Sequence, residues 1–508
     1  METLIKSRER VQQFGEVFTP NWMVKKMLAI PEIQAAIRDP ASKFLEPCCG
    51  EGAFLTEILR QKLYFAPAKM FDALRSIFGI EIQLDNLQLA QKNLASIFVA
   101  HYQKFYAEKI PADLYVYMWN ILSRNIFHGD VLKFRKSIGF DLEGKEVFVL
   151  SKNPLADALK AHFNLSDEEI KSMILVSNPP YHEDVDSGDN KTFAPPVYHK
   201  FLAEYHKTTD RVMVIHPARC LFDAGATPKD FNRKILSDPH IKVAIYEPDS
   251  SKVFPNAKVD IRGGVAVTYR DANKNFGAIE TFIPWDELKS AHRKVVVDNK
   301  NFRPFSEIVY PRALYRLSAN FPIADKINSS IGTNAFHTLS EYFFDEKPAD
   351  GHEYTKILGR VGIERVYKFI RRDYIRDTEN FCKYKVFIPS SNGSGTIGEK
   401  LATMLVGLPL VGCTETFTSA GAFDSAAEAD NCLKYIKTKF ARAMLGILKV
   451  TQHNPAETWR YVPLQEFGAG SDIDWRRSVH KIDKQLYRKY GLAAGEIEFI
   501  ESKVKAME

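Results

Sequence analysis

Through the first half of the chain, short apolar runs alternate with longer stretches whose apolar residues recur at helical spacing. The runs at 44–46, 77–82, 125–128, 173–176, 212–215 and 264–269 read as strands. Helical patterning fills 22–30, 53–59, 86–94 and 197–202. Strands alternating with helices in this way predict an α/β fold. After Asp271 the pattern changes, and the polar, Lys-rich stretch 289–303 reads as a boundary. Two domains are expected, 1–275 and 276–508. In the second, 383–389 reads as a strand, the Gly/Ser run 390–398 as a mobile loop, and 474–507 as a small helical closing element. Ser425 and Glu428 form a capping-box pattern that opens one long helix over 426–449.

Chemistry collects where the strands end. The run 173–176 leads into Asn178-Pro179-Pro180-Tyr181, a corner that offers an amide, a proline-flanked carbonyl and an aromatic face at a strand's carboxyl end. The Asn oxygen and that carbonyl can both accept from an amine, and the Tyr ring can stack on a flat base. A plain turn is the competing interpretation, since Asn and Pro are turn residues anywhere. The strand at 44–46 runs into Glu46-Pro47-Cys48-Cys49-Gly50-Glu51-Gly52, where Gly50 and Gly52 let the backbone approach a ligand. Acidic Glu46 and Glu51 would repel a pyrophosphate, so the loop suits a ligand bearing an amine and a sulfonium. Further along, Glu81 can hold ribose hydroxyls and Asp130 an adenine amino group. Each of these acids reads equally well alone as a solvated strand end or a helix cap.

Composition narrows the class. At 508 residues, 45% hydrophobic and 26% charged, the chain is an ordinary globular one and too long for a single core. No apolar run is long enough to span a bilayer, and the charged start lacks a signal peptide's apolar stretch, so a cytoplasmic protein is expected. Six scattered cysteines with no CxxC pair argue against disulfides and structural zinc, and no metal is expected. A net charge of +6 is compatible with a polyanionic partner. The clearest place for one is 360–376, where basic residues interleave with aromatics; a solvated charged face is the alternative.

Taken together, the motifs resemble the gamma-class N6-adenine DNA methyltransferases of bacterial restriction-modification systems. The resemblance covers the first half and rests on motif order: Gly15-Glu16-Val17-Phe18-Thr19-Pro20, the Gly loop, Glu81, Asp130, and then the Asn-Pro-Pro-Tyr corner. Two features depart from it, the Cys48-Cys49 pair before Gly50 and a segment at 133–171 that looks inserted. It implies a Rossmann-like S-adenosylmethionine-dependent methyltransferase domain followed by a mixed α/β target-recognition domain. S-adenosyl-L-methionine would be held by Phe18, Thr19, Pro20, Glu46, Pro47, Gly50, Gly52, Glu81, Ile82, Asp130, Val131, Asn178 and Phe201. Asn178, Pro179, Pro180 and Tyr181 would act on an adenine flipped out of double-stranded DNA, with Tyr181 and Phe254 stacking on it, while plain core packing is the alternative for both Phe254 and Phe201. Arg360, Arg365, Lys368, Arg371, Arg372 and Arg376 would contact the duplex, and the loop 183–190 either closes over the target or is solvated surface. A separate restriction endonuclease, or none, is the expected partner. The same amine chemistry leaves N4-cytosine in DNA and adenine in RNA as alternatives, and a protein glutamine as a more distant one.

Overall fold

The computed structural model describes residues 4–7, 10, 16–140, 146–182, 195–224, 226–255, 261 and 263–507. The chain forms two compact units that part between Thr281 and Phe282.

The first unit is built on one seven-stranded sheet. Its strands are β1 (Phe44–Glu46), β2 (Ile77–Glu81), β3 (Ile126–His128), β6 (Ile174–Ser177), β7 (Arg211–Pro217), β8 (Ile241–Glu247) and β9 (Val265–Asp271); β4 (Arg135–Phe140) and β5 (Glu146–Leu150) pair apart as a hairpin. The sheet order is β3-β2-β1-β6-β7-β9-β8, parallel from β3 through β7 and antiparallel where β9 joins β7 and β8. Every residue of β1, β2 and β6 is buried, which is why these strands read as unbroken apolar runs and not as alternating ones. In β8 only Ile241 is fully buried. Lying at the sheet edge and interrupted by Lys242, it gives no such run, and sequence reading passes over it. The helix after β2 spans Leu84–Tyr106, well beyond the expected 86–94, because Phe98 and Tyr102 extend its buried stripe. It ends at Ala107 in a left-handed conformation.

The segment 133–171 is only partly an insertion. Parallel strands need a crossover, and between β3 and β6 the helix Pro154–Phe163 supplies part of one. Its Phe163 packs edge-on against Phe78 of β2 at 5.0 Å. The helix that follows, Asp167–Ser172, starts on a Ser166/Glu169 capping box.

The second unit holds two three-stranded sheets, with strands β10 (Tyr354–Val361), β11 (Glu364–Arg371), β12 (Tyr384–Pro389), β13 (Leu405–Gly407), β14 (Val411–Cys413) and β15 (Phe417–Phe423), ordered β11-β10-β14 and β13-β12-β15. Three expectations change here. The stretch 289–303, read as a boundary, lies inside the second unit, where the helix Asp286–His292 and the π-helical Arg293–Val297 bury Leu288, Ala291 and Val295. The single helix over 426–449 is two, Ala426–Lys437 and Lys439–Leu445. At Thr438 the backbone turns extended, and its hydroxyl caps the new helix by accepting from Ala441 N–H. The Gly/Ser run 390–398 is tied down: Glu399 accepts from the Ser394 and Gly395 N–H groups and pairs with buried Lys449 at 2.8 Å. Among the described residues no helix is long and apolar enough to cross a membrane.

Candidate functional site

Two cavities of about 370 and 450 Å³ lie in the first unit, among the carboxyl ends of the central strands and the segment 16–19. Phe18, Val17, Cys48, Gly50 and Asn178 line both. Gly50 adopts φ +51°, and a side chain there would meet the Phe18 ring at 3.2 Å. The close approach of loop and ring therefore requires glycine.

The first cavity collects Pro47, Glu81, Ile82, Asp130, Val131, Pro180 and Phe201. Glu81 is almost fully buried; its carboxylate accepts from Gly50 N–H at 2.7 Å and Gln83 N–H at 2.9 Å. Burial raises its pKa, and those donors work against the rise. Asp130, just past the end of β3, lines this cavity and accepts from Leu132 N–H at 2.9 Å. Ile82 keeps 46% exposure on this wall, an apolar face open to a flat ring.

The second cavity collects Thr19, Glu46, Cys49, Glu51 and Arg60. Glu46 is 3% exposed, and burial holds its carboxyl well above the ordinary carboxylate range. Its Oε2 has no hydrogen-bond partner among the described residues. The same is true of Glu16 Oε1 and Asn178 Oδ1 in the first cavity wall. Three buried acceptors without donors thus surround adjoining spaces, an arrangement that suits a ligand rich in N–H groups and positive charge.

Asn178 follows β6 directly. Its Nδ2 donates to the Val17 carbonyl and to Thr19 Oγ1, each at 3.0 Å, which directs the bare Oδ1 away from them. Pro179 and Tyr181 are buried and line neither cavity, while Pro180 and His182 reach the first. Tyr181 and Phe254 do come together, but edge to face with centroids 6.2 Å apart and both rings buried. A base held flat between two rings needs about 7 Å and parallel planes. The two rings are therefore in edge contact with each other and leave no parallel gap between them.

Two of the residues expected to hold a cofactor, Pro20 and Gly52, line neither cavity. Pro20 sits at the N-cap of the helix Asn21–Leu28, and Gly52, at φ +82°, lets the helix Ala53–Phe65 pass close to Ala90. Glu16, Val17, Cys48, Gln83, Asn86, Lys133 and His182 line the cavities without having been singled out. Glu16 and Val17 were within reach because they stand in the quoted segment 15–20, whereas Asn86, one turn into a helix, carried no sequence signal. The loop 183–190 lies outside the described residues.

In the second unit the basic-aromatic segment is the hairpin β10–β11, with Arg360 directly opposite Arg365. Lys368 pairs with Asp345 at 2.8 Å, Arg371 with Asp373 at 2.7 Å, and Arg372 with Asp377. Arg365 donates to the Thr403 carbonyl and lies over the Phe417 ring. Arg360 and Arg376 are exposed and have no side-chain partner among the described residues. The six candidates are therefore not equivalent. Among the described residues no His, Cys, Asp and Glu side chains cluster as metal ligands do.

No curated protein sequence matches the chain. Among solved structures it is similar to the Type IIL restriction-modification enzyme MmeI in complex with DNA, at 11% identity and a TM-score of 0.48 over 98% of this chain and 80% of that one. It is similar to the DrdV–DNA complex at 12% identity and 0.44, over 90% of this chain and 57% of that one. A modification subunit of a putative type I restriction enzyme from Vibrio vulnificus gives 16% identity and 0.30, over 52% and 46%. The chain thus spans about half the length of the last two. In sequence, residues 75–254, from the approach to β2 through the Asn178 corner to Phe254, match the model of the Eco57I restriction-modification methylase family.

Proposed function

We propose that this chain is a DNA adenine methyltransferase that moves a methyl group from S-adenosyl-L-methionine to the N6 amine of an adenine flipped out of duplex DNA. One observation carries the reading: Asn178 Oδ1 is a buried acceptor with no donor among the described residues, at the end of a central strand and on the wall of a cavity. A buried acceptor left bare costs about 1–3 kcal/mol. A fold tolerates that where a substrate N–H fills the place. An exocyclic amine is a poor nucleophile while its lone pair is drawn into the ring, and a fixed acceptor stabilises the positive charge that grows on the nitrogen as it reacts.

The residues present fit the methyl donor. Glu46 Oε2 suits the ammonium of its amino-acid part, the Glu81 carboxylate its ribose hydroxyls, and Asp130 with Ile82 its adenine. When bound, the donor supplies a methyl group made electrophilic by its sulfonium. The protein's own part is to hold Asn178 Oδ1 toward the amine, to exclude water with Phe18 and Phe201, and to give the base a ring to lean on once Tyr181 and Phe254 part. Extruding the base costs a few kcal/mol, which contacts at the corner must recover.

On this reading Arg360 and Arg376 touch DNA phosphates first, Arg365 follows after leaving Thr403, and Lys368, Arg371 and Arg372 chiefly shape the hairpin. The enzyme works in the cytoplasm, with a separate restriction endonuclease as its candidate partner. Transfer of radiolabelled methyl to duplex DNA, RNA and protein, followed by nucleoside analysis, tests the proposal. N6-methyladenine in DNA is expected. Label only in protein overturns the function, and N4-methylcytosine overturns the base.

A further inference from the structure

Asn178 can accept from an amine only when its carboxamide is turned one way. Rotating the group by 180° exchanges oxygen and nitrogen in nearly the same space, and the flipped form would present N–H groups to an amine that also has N–H groups to give. The Val17 carbonyl 3.0 Å from Nδ2 can only accept, so it favours the productive orientation. Thr19 Oγ1, also 3.0 Å from Nδ2, takes the second amide proton. With both protons engaged, Nδ2 is satisfied and Oδ1 is left bare.

We infer that Thr19 is a positioning residue for methyl transfer, its hydroxyl holding the Asn178 carboxamide with Oδ1 toward the reacting amine. The inference rests on the function proposed above. Thr19 is suited to the task by its own anchorage. Its side chain is 7% exposed, and it precedes Pro20, which confines its backbone to extended geometry. Pro20 in turn opens the helix Asn21–Leu28, its carbonyl accepting from the Met23 and Val24 N–H groups. The hydroxyl is therefore delivered from a fixed point to a group 159 positions away in the chain. Phe18, between the two residues that grip Asn178, faces both cavities. Whatever settles the segment 17–19 around a bound donor also settles the orientation of the acceptor's amide.

The test is Thr19→Val, which keeps the shape and removes the hydroxyl, beside Thr19→Ser, which keeps the hydroxyl. For Thr19→Val, kcat on duplex DNA should fall about 10- to 100-fold, the size of effect seen when a supporting group that orients a reacting one is lost. Because Thr19 also lines the cavity assigned to the donor, donor affinity, read by direct titration with S-adenosyl-L-methionine, should fall less than kcat does, and Thr19→Ser should restore most of kcat. A Thr19→Val enzyme with unaltered kcat overturns the inference, as does one whose donor affinity collapses while kcat stands, because Thr19 would then be a donor ligand. A Thr19→Ser enzyme as slow as Thr19→Val also overturns it. A wild-type chain that labels no DNA overturns the proposed function and this inference with it.

Discussion

Around the cavities of the first unit, Glu16 Oε1, Glu46 Oε2 and Asn178 Oδ1 are buried acceptors that lack a donor among the described residues. In the second unit the buried charges are fully engaged: Lys385 donates to the carbonyls of Phe381, Lys383 and Leu408, and Lys449 to the Asn392 carbonyl and the Glu399 carboxylate. The unpaired buried atoms that the second unit does contain, such as Asn392 Nδ2, Asn454 Nδ2 and Trp459 Nε1, are mostly donors, and none of them lines either of the two cavities. Burial alone therefore does not mark a functional polar group. What marks it is an unmet need shared by several groups around one space. The first unit makes the point internally, because its own buried Lys62 is caged by the carbonyls of Asp39, Pro40 and Ser42 and by Ser76 Oγ, and lines neither cavity. Lys62 and Lys385 are the same device in two units. Burial pushes their pKa values down to about 7 and about 8, respectively.

The sharpest way to break the contrast is Asn178→Ala. Methyl transfer should fall by at least about 10²- to 10³-fold, as when one fixed charge-stabilising group is lost, with donor binding still measurable by titration. Full activity would make the corner structural. Lys385→Met should do the reverse. Stripping the donor from three buried carbonyls should lower unfolding stability by about 3 kcal/mol in urea, with kcat of the folded enzyme unchanged. A stable but slow Lys385→Met enzyme would show that the second unit's network also serves turnover.

Glu46 gives a pH signature. Its folded pKa lies above the unfolded value of 4.5, so the neutral form is favoured in the free protein, and its contribution to stability declines as pH rises from 4.5 through the folded pKa. A cationic donor needs the ionised form. Donor affinity should therefore climb with pH above 4.5, by at most about tenfold per unit, then level off. Glu46→Gln should flatten that climb, and an identical profile in the variant would remove Glu46 from the donor site. The smallest effect is expected on the hairpin. Arg360→Ala should reduce the salt slope of DNA binding by about one. Arg371→Ala, whose guanidinium is already paired with Asp373, should change it less, and equal losses would erase the distinction between them.

Much of the first unit's sheet was legible because strands buried on both faces leave unbroken apolar runs, as 77–82 and 173–176 do. The acids at strand ends were legible for the same reason, since they stand where those runs stop. The edge strand β8 was not, because one solvated flank breaks its pattern. Nor was the break at Thr438, where apolar spacing runs straight through a turn that only a capping hydroxyl reveals. Sequence brought Tyr181 and Phe254 to one place but could not tell a slot from a contact, because that depends on ring orientation. The Arg371–Asp373 pair was readable from its two-residue spacing; the Lys368–Asp345 pair needed the fold. The bond from Asn178 to Thr19 joins residues too far apart for any local pattern.

The sheet order has a consequence for how such a chain can diverge. β1 to β3 occupy one flank and β6 to β9 the other, and the chain crosses between the flanks once, through 129–173. Under the function proposed above, Glu46 and Glu81, the acids assigned to the methyl donor, belong to the first flank and the Asn178 corner assigned to the acceptor belongs to the second. Mutations that reshape the second flank can explore new acceptors while the donor pocket stays as it was, provided the grip of Val17 and Thr19 on Asn178 survives. That grip is the seam at which the two halves of the reaction must coevolve.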